Sequence, residues 1–321
     1  MTALAATPWI GPRGERMERL ELHLTYTCPE RCTFCSEDHR MTAHRAHPVT
    51  WGRVATVLRQ SAERGITAIH LTGGEPTIHP KFVETLALAK KLGMRTSVGT
   101  IGTMLSRPAF AERAMPFLDE ALFSLHGPDA ETHDAITRRP GSFETVTGAM
   151  RNARALRPDF GLFVNTVVTR PNADRLPDTA ALADALGARL IVVSNLTPEG
   201  AGLDRYADLA VPLAQLAELL PRVPARAPNA VVRFFGVPMC LLGEHAMLSN
   251  DLHWNARVTY EWTEQPGKVV FDGIYTWAPD RKRMHVAACD GCSFRGVCAG
   301  VFDRYAALWP TDALRPRREA S

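Results

Sequence analysis

CPERCTFC, residues 28–35, follows the aliphatic run LELHLT at residues 20–25. Cys28, Cys32 and Cys35 are separated by three and then two residues and fall in the loop after a predicted strand. Three thiolates on one loop can hold three irons of a cubane and leave the fourth iron without a protein ligand, open to a substrate. A structural zinc would want a fourth protein ligand, which His39 or His44 could supply. Spacing alone leaves both metals open.

Outward from this loop, residues 19–196 alternate between short β-rich runs and amphipathic stretches. Predicted strands are Leu20–Thr25, Ile66–Leu71, Met94–Thr100, Ala121–Leu125, Gly161–Thr169 and Arg189–Asn195, each rich in aliphatic or β-branched residues and read as buried on both faces. Thr50–Arg64 reads as a helix capped by Thr50, with Val54, Val57 and Leu58 on one face. Pro80–Leu92 repeats the pattern with Phe82, Leu86 and Ala89, and Gly65 and Gly93 suit left-handed helix ends. Six strand–helix units predict an α/β fold, a parallel sheet curled into a partial (β/α)6 TIM-like barrel. Its ligand site belongs beyond the carboxyl ends of the strands, where the cysteine loop already lies.

After residue 197 the rhythm breaks. Pro221, Pro224 and Pro228 punctuate a linker, and Val231–Val237 reads as one more strand. Residues 252–277 read as hairpins around Pro266–Gly267 and Asp272–Gly273. The expected division is an N-terminal extension over 1–18, the barrel over 19–222, a small Cys-rich domain over 223–308 and a tail over 309–321. Hydrophobic residues make up 45% of the 321 and charged residues 22%, as in an ordinary globular protein. A net charge of +3 is too small to argue for nucleic acid or an anionic membrane, and Arg304, Arg315, Arg317 and Arg318 read as a solvated end. No apolar run is long enough to span a bilayer, and the first sixteen residues lack signal-peptide character, so a cytoplasmic location is expected. In a reducing compartment, seven cysteines, an odd number, point to metal or redox chemistry rather than disulfides.

CPERCTFC resembles the CxxxCxxC signature of the radical S-adenosylmethionine (SAM) superfamily, including the aromatic Phe34 before the third cysteine. A second motif stands where that resemblance requires it: GGEP, residues 73–76, after the second strand. The resemblance implies that Cys28, Cys32 and Cys35 bind a [4Fe-4S] cluster with one open iron. It further implies that Gly73, Gly74 and Glu75 receive the methionine end of SAM, with the glutamate accepting from its amino group. Glycines let backbone approach a ligand closely, and a carboxylate suits an ammonium. Ser124, in FSLHG, and Asn165, in FVNTVVTR, match positions that face SAM, although either could simply fill the barrel interior. Leu196 is expected to pack on adenine, and Arg170 and Asn172 are weaker candidates.

CDGCSFRGVC places Cys289, Cys292 and Cys298 near the C-terminus, with Cys240 upstream in GVPMC. The spacing resembles part of the SPASM and Twitch extensions that hold auxiliary clusters. Phe302 stands where a full SPASM pattern would put another cysteine, which argues against two auxiliary clusters. Four cysteines remain after the first three, enough to ligate one auxiliary [4Fe-4S] cluster completely. A four-cysteine zinc knuckle is the alternative.

Among the histidines, His126 follows Ser124 and is the substrate-side candidate; His23 and His70 lie on strands and read as core histidines. Arg138 and Arg139, in ITRRPGSF, could meet an anion or face water, while Trp254, Trp262 and Trp277 read as core packing or a cover for the auxiliary cluster. The resemblance implies reductive cleavage of SAM to a 5′-deoxyadenosyl radical, which takes a hydrogen atom from the substrate. An external one-electron reductant of the flavodoxin or ferredoxin type is implied as a partner. Oxidative modification or cross-linking of a peptide is the leading expectation. With the barrel starting near residue 19, peptide recognition would fall to a separate protein or to the tail domain. A small-molecule oxidoreductase acting on a sugar, alcohol or cofactor precursor is the alternative, and a non-catalytic zinc or iron–sulfur protein is the reading of another class.

Overall fold

The computed structural model describes residues 7–278 and 281–318. Seven parallel strands form in chain order: β1 (Arg19–Thr25), β2 (Ala68–Gly73), β3 (Arg95–Thr100), β4 (Glu120–Ser124), β5 (Gly161–Val168), β6 (Leu190–Asn195) and β7 (Val231–Phe235). Helices fill the crossovers: α1 (Asp38–His44), α2 (Trp51–Glu63), α3 (Phe82–Lys91), α4 (Pro108–Ala114), α5 (Ala130–Thr137), α6 (Ser142–Leu156) and α7 (Leu176–Ala185). Thr50 stands at the N-cap of α2 without a side-chain cap bond, and Gly65 and Gly93 take positive φ after α2 and α3.

The strands do not bury both faces alike. Leu20, Leu22, Leu24, Ile69, Leu71, Val98, Phe123, Leu162 and Val164 point outward under the helices and are at most 1% exposed. Each such side chain is worth about 1.5–3 kcal/mol of burial. The alternate positions turn inward onto cavities, polar at His23, His70, Ser97, Ser124 and Asn165 and apolar at Leu122, Phe163, Leu190 and Val192. Period-two alternation therefore separates a packed outer layer from a cavity-lining inner one.

The sheet does not stop at the barrel strands. β8 (Arg257–Gln265) pairs parallel to β1 on the side away from β2, and β9 (Lys268–Thr276) pairs antiparallel to β8. The order is β7-β6-β5-β4-β3-β2-β1-β8-β9, so one sheet crosses position 222. One of the two expected hairpin turns forms, at Pro266–Gly267. Asp272–Gly273 instead lies inside β9, where Gly273 faces Tyr260 in register and Asp272 Oδ1 accepts from the Gly273 N–H at 2.8 Å. Residues Asn250, His253, Trp254 and Asn255, between β7 and β8, line the same interior cavity as the strands.

Candidate active site

The cysteine loop is held from two sides. Arg31 and Thr33 N–H groups donate to the Thr137 and Ile136 carbonyls at the end of α5, at 3.1 and 2.9 Å. The Cys35 carbonyl accepts from Ala201 N–H at 2.9 Å, and a Cβ on Gly200 would strike that carbonyl. Behind the loop runs a buried polar chain. His126 N–H donates to His133 Nδ1 at 3.0 Å, which leaves His133 Nε2 to donate to Ser142 Oγ at 3.1 Å. Ser142 Oγ in turn donates to Glu30 Oε1, and Glu30 Oε2 accepts from the Cys32 thiol at 3.4 Å. Burial pushes the Cys28 and Cys35 thiols up to about 12 and Cys32 well above the usual thiol range, and nearby carboxylates reinforce this. Three half-buried thiols among carboxylates form a site short of positive charge, which suits bound iron.

GGEP packs against this loop. Gly74 and Glu75 N–H groups donate to the Thr25 and Thr27 carbonyls at 2.7 and 2.9 Å. Gly73 takes φ +111°, and a Cβ on Gly73 or Gly74 would collide with the backbone of Thr25 or Thr27. Glu75 is fully buried, and its carboxylate is occupied: Oε1 accepts from Thr77 N–H at 3.1 Å, from the Thr77 hydroxyl and from Thr100 Oγ1 at 2.7 Å, while Oε2 accepts from Ile101 N–H at 2.8 Å. The glutamate thus fixes the loop to the end of β3.

A cavity of about 340 Å³ lies beyond the strand ends, lined by Phe34, Gly73, Gly74, Glu75, Ser124 and Asn165, among others. Asn165 Oδ1 accepts from Ser194 Oγ at 2.6 Å, so β4, β5 and β6 give this wall a continuous polar strip. Leu196 does not join it. That side chain is fully buried in the core, its N–H donating to Asn195 Oδ1, so it has no face left for adenine. His126 is also corrected. It is 2% exposed, with its ring wedged between Phe34 at 4.7 Å and His133 at 5.7 Å, and its Nδ1 accepts from Val167 N–H. Burial, followed by His133, pushes His126 well below the usual histidine range, so it supports Phe34 as a neutral ring. Asn172 and Arg170 bond backbone carbonyls and are structural. Arg138 closes α5 at φ 57°.

The sequence model of the radical SAM superfamily matches residues 22–183. This chain belongs to the radical SAM superfamily. Membership brings SAM and an iron–sulfur cluster as cofactors of the domain. The PqqA peptide cyclase of Rhodopseudomonas palustris is 33% identical over 206 residues, 64% of this chain and 53% of that protein. Its namesake in Gluconobacter oxydans is 30% identical over 204 residues, 63% of this chain and 56% of that one. The chain thus spans about half the length of the curated relatives it matches. Among solved structures, Streptococcus suis SuiB bound to precursor peptide SuiA superposes with a TM-score of 0.59 at 15% identity, covering 76% of this chain and 57% of that one. Native anSMEcpe with bound AdoMet gives 0.54 at 16%, covering 67% and 63%. At such identities the likeness is one of fold.

Outside the radical SAM match, the structure gathers Cys240, Cys289, Cys292 and Cys298 around one small cavity with Pro238, His285 and Phe294. Cys240 is therefore a companion of the other three. Burial pushes its thiol up to about 11, and the three neighbouring thiols add to the shift. Cys298 Sγ accepts from Met239 and Gly300 N–H groups, each at 3.4 Å. The segment is clamped by two short strands, β10 (Arg283–Met284) and β11 (Val301–Phe302), and by a fully buried Arg283–Asp251 pair at 2.7 Å. Trp254, Trp262 and Trp277 do not line this site: Trp262 packs on Phe271, Trp254 lines the barrel and Trp277 is exposed beside Tyr275.

His23 and His70, read from sequence as core histidines, both face a second cavity of about 700 Å³ inside the barrel. Glu261 of β8 lies there too, 3.4 Å from His23, and sequence reasoning missed it. Its one signal was alternation of Arg257, Thr259 and Glu261 with Val258, Tyr260 and Trp262.

Proposed function

We propose that this chain is a radical SAM enzyme that oxidatively modifies or cross-links a peptide. The observation that carries this reading is the trio of half-buried thiols on a loop packed against GGEP, beside a cavity that opens into the barrel. A cluster with an open iron, together with SAM, supplies one-electron cleavage of the sulfonium and a carbon radical able to take a hydrogen atom. Cys28, Cys32 and Cys35 would hold that cluster. The Gly73–Gly74 backbone would meet the methionine end, and Ser124 and Asn165 the ribose side. Phe34, braced by His126, keeps water from the cluster loop.

Cys240, Cys289, Cys292 and Cys298 would hold a fully ligated auxiliary [4Fe-4S] cluster, suited to electron transfer rather than substrate binding. Relatives named for a peptide cyclase, and a neighbour solved with a precursor peptide, support a peptide substrate. Among the described residues no helix is long and apolar enough to cross a membrane, and an external flavodoxin- or ferredoxin-type reductant belongs to the same reading.

Anaerobic reconstitution with iron and sulfide analysis tests it. About eight irons per chain are expected from two cubanes. Dithionite with SAM should yield 5′-deoxyadenosine and methionine. Protein that takes up zinc but no iron, or that leaves SAM intact, would sink the proposal.

A further inference from the structure

The 700 Å³ cavity has two unlike walls. One is charged, because β1 turns Arg19, Glu21 and His23 inward and β8 turns Arg257, Thr259 and Glu261 inward. The other is apolar, made by Phe163, Leu190, Val192 and Phe235 of β5, β6 and β7. Most of the charges are matched. Glu21 meets Arg257 at 2.7 Å, Glu120 meets Arg95 at 2.6 Å and Arg281 meets Glu199 at 2.5 Å.

One corner is matched only loosely, because Arg40 gives its short bond, 2.9 Å, to Glu37 Oε1. Glu261 is 6% exposed and His23 is 4% exposed. A single oxygen of Glu261, Oε2, stands 3.4 Å from His23 Nε2 and 3.3 Å from Arg40 Nε, beyond the span of a good charge-assisted bond. Among the described residues no donor hydrogen-bonds either oxygen of Glu261. His23 Nδ1 and Glu37 Oε2, 3.4 Å apart, likewise lack hydrogen-bond partners. Glu261 lines the cavity, so a donor bound there could give its carboxylate the hydrogen bond that the protein does not. The corner is also well placed. The cavity shares His70, Leu122, Asn165, Ser194 and Phe235 with the SAM-side cavity, so a group seated here has its remaining carbons facing the site of radical chemistry.

We infer that the Glu261–His23 corner is a substrate-specificity site. It receives the hydrogen-donating end, hydroxyl or ammonium, of a peptide side chain whose apolar body lies along Phe163, Leu190, Val192 and Phe235. This deepens the peptide reading and rests on it. A site built to hydrogen-bond one polar end discriminates strongly against an analogue lacking it, because its own groups are then left unpaired.

The test uses the reconstituted full chain and four capped peptides, acetyl-Gly-Xaa-Gly-amide, with tyrosine, phenylalanine, lysine or norleucine at the centre. Binding is measured by equilibrium dialysis in the presence of SAM. Tyrosine over phenylalanine, or lysine over norleucine, should be preferred by at least about tenfold. Glu261→Met, similar in volume but without an acceptor, should abolish that preference while iron content and substrate-free deoxyadenosine formation stay at wild-type levels. Glu261→Gln separates the two donors: a hydroxyl preference survives it and an ammonium preference does not. No preference in either pair, including no binding by any of the four at millimolar concentration, overturns the inference. So does a preference that Glu261→Met leaves unchanged. Should Glu261→Met fail to fold, the wild-type preferences and Glu261→Gln decide the matter. Wild-type protein that forms no deoxyadenosine from SAM refutes the parent reading instead.

Discussion

The Glu75 carboxylate offers about four lone-pair sites and meets four protein donors, so its first duty is to the loop it sits in. Two of those donors, on Thr100 and Ile101, belong to the next strand and its loop. That is why the motif was legible in sequence while its internal wiring was not. The glycines were legible for the reason sequence gives: both lie where a Cβ would strike a carbonyl. Gly74→Ala should displace GGEP from the cysteine loop and slow SAM cleavage by on the order of a hundredfold, read as deoxyadenosine formed per minute. Its iron content should stay unchanged. Cys32→Ala should remove cleavage altogether, seen as loss of deoxyadenosine in the same assay. Leu196 and His126 were misread because distance from a strand end does not say on which side of the barrel wall a side chain emerges.

Element by element, the first six strands follow from short aliphatic and β-branched runs, and α2 and α3 from helical patterning, with ends shifted by one or two residues; the alternation of the strand faces was not read. Pairing partners were less accessible. Nothing local in RVTYEWTEQ announces that it will lie against β1 rather than β7, since the choice is made by packing between opposite ends of the chain. The Arg283–Asp251 pair was hidden for the same reason. Asp251 also accepts from Ala299 N–H at 3.0 Å, beside Cys298, and Arg283 donates to the Gly300 carbonyl at 2.8 Å. Asp251→Ala strands a buried guanidinium, at a cost of about 3–5 kcal/mol concentrated in this lobe. Reconstitution of that variant should give about four irons per chain instead of about eight, with SAM cleavage retained. Adding Arg283→Met should recover part of the lost thermal stability.

For the molecule as a whole, three histidines with depressed proton affinity set an acid limit. Burial depresses His70 and His133 to about 4, and His126 lies well below the usual range. In the unfolded chain each binds its proton near 6.5. Stability held by the neutral rings is complete above pH 6.5 and is lost as pH falls toward 4, because the unfolded state takes up protons first. Calorimetry should show the melting temperature falling between pH 7 and 5, and His133→Gln should flatten that fall. The sheet carries a different kind of lesson. Arg19–Leu22 pairs with β2 on one flank and with Arg257–Tyr260 on the other, so the strand that delivers the cysteine loop owes one of its two neighbours to the C-terminal region. A graft that exchanged this region for a relative's would have to supply a strand in matching register, or leave β1 as a raw margin. The two cysteine segments are thereby joined through a single shared sheet rather than carried on separable cassettes.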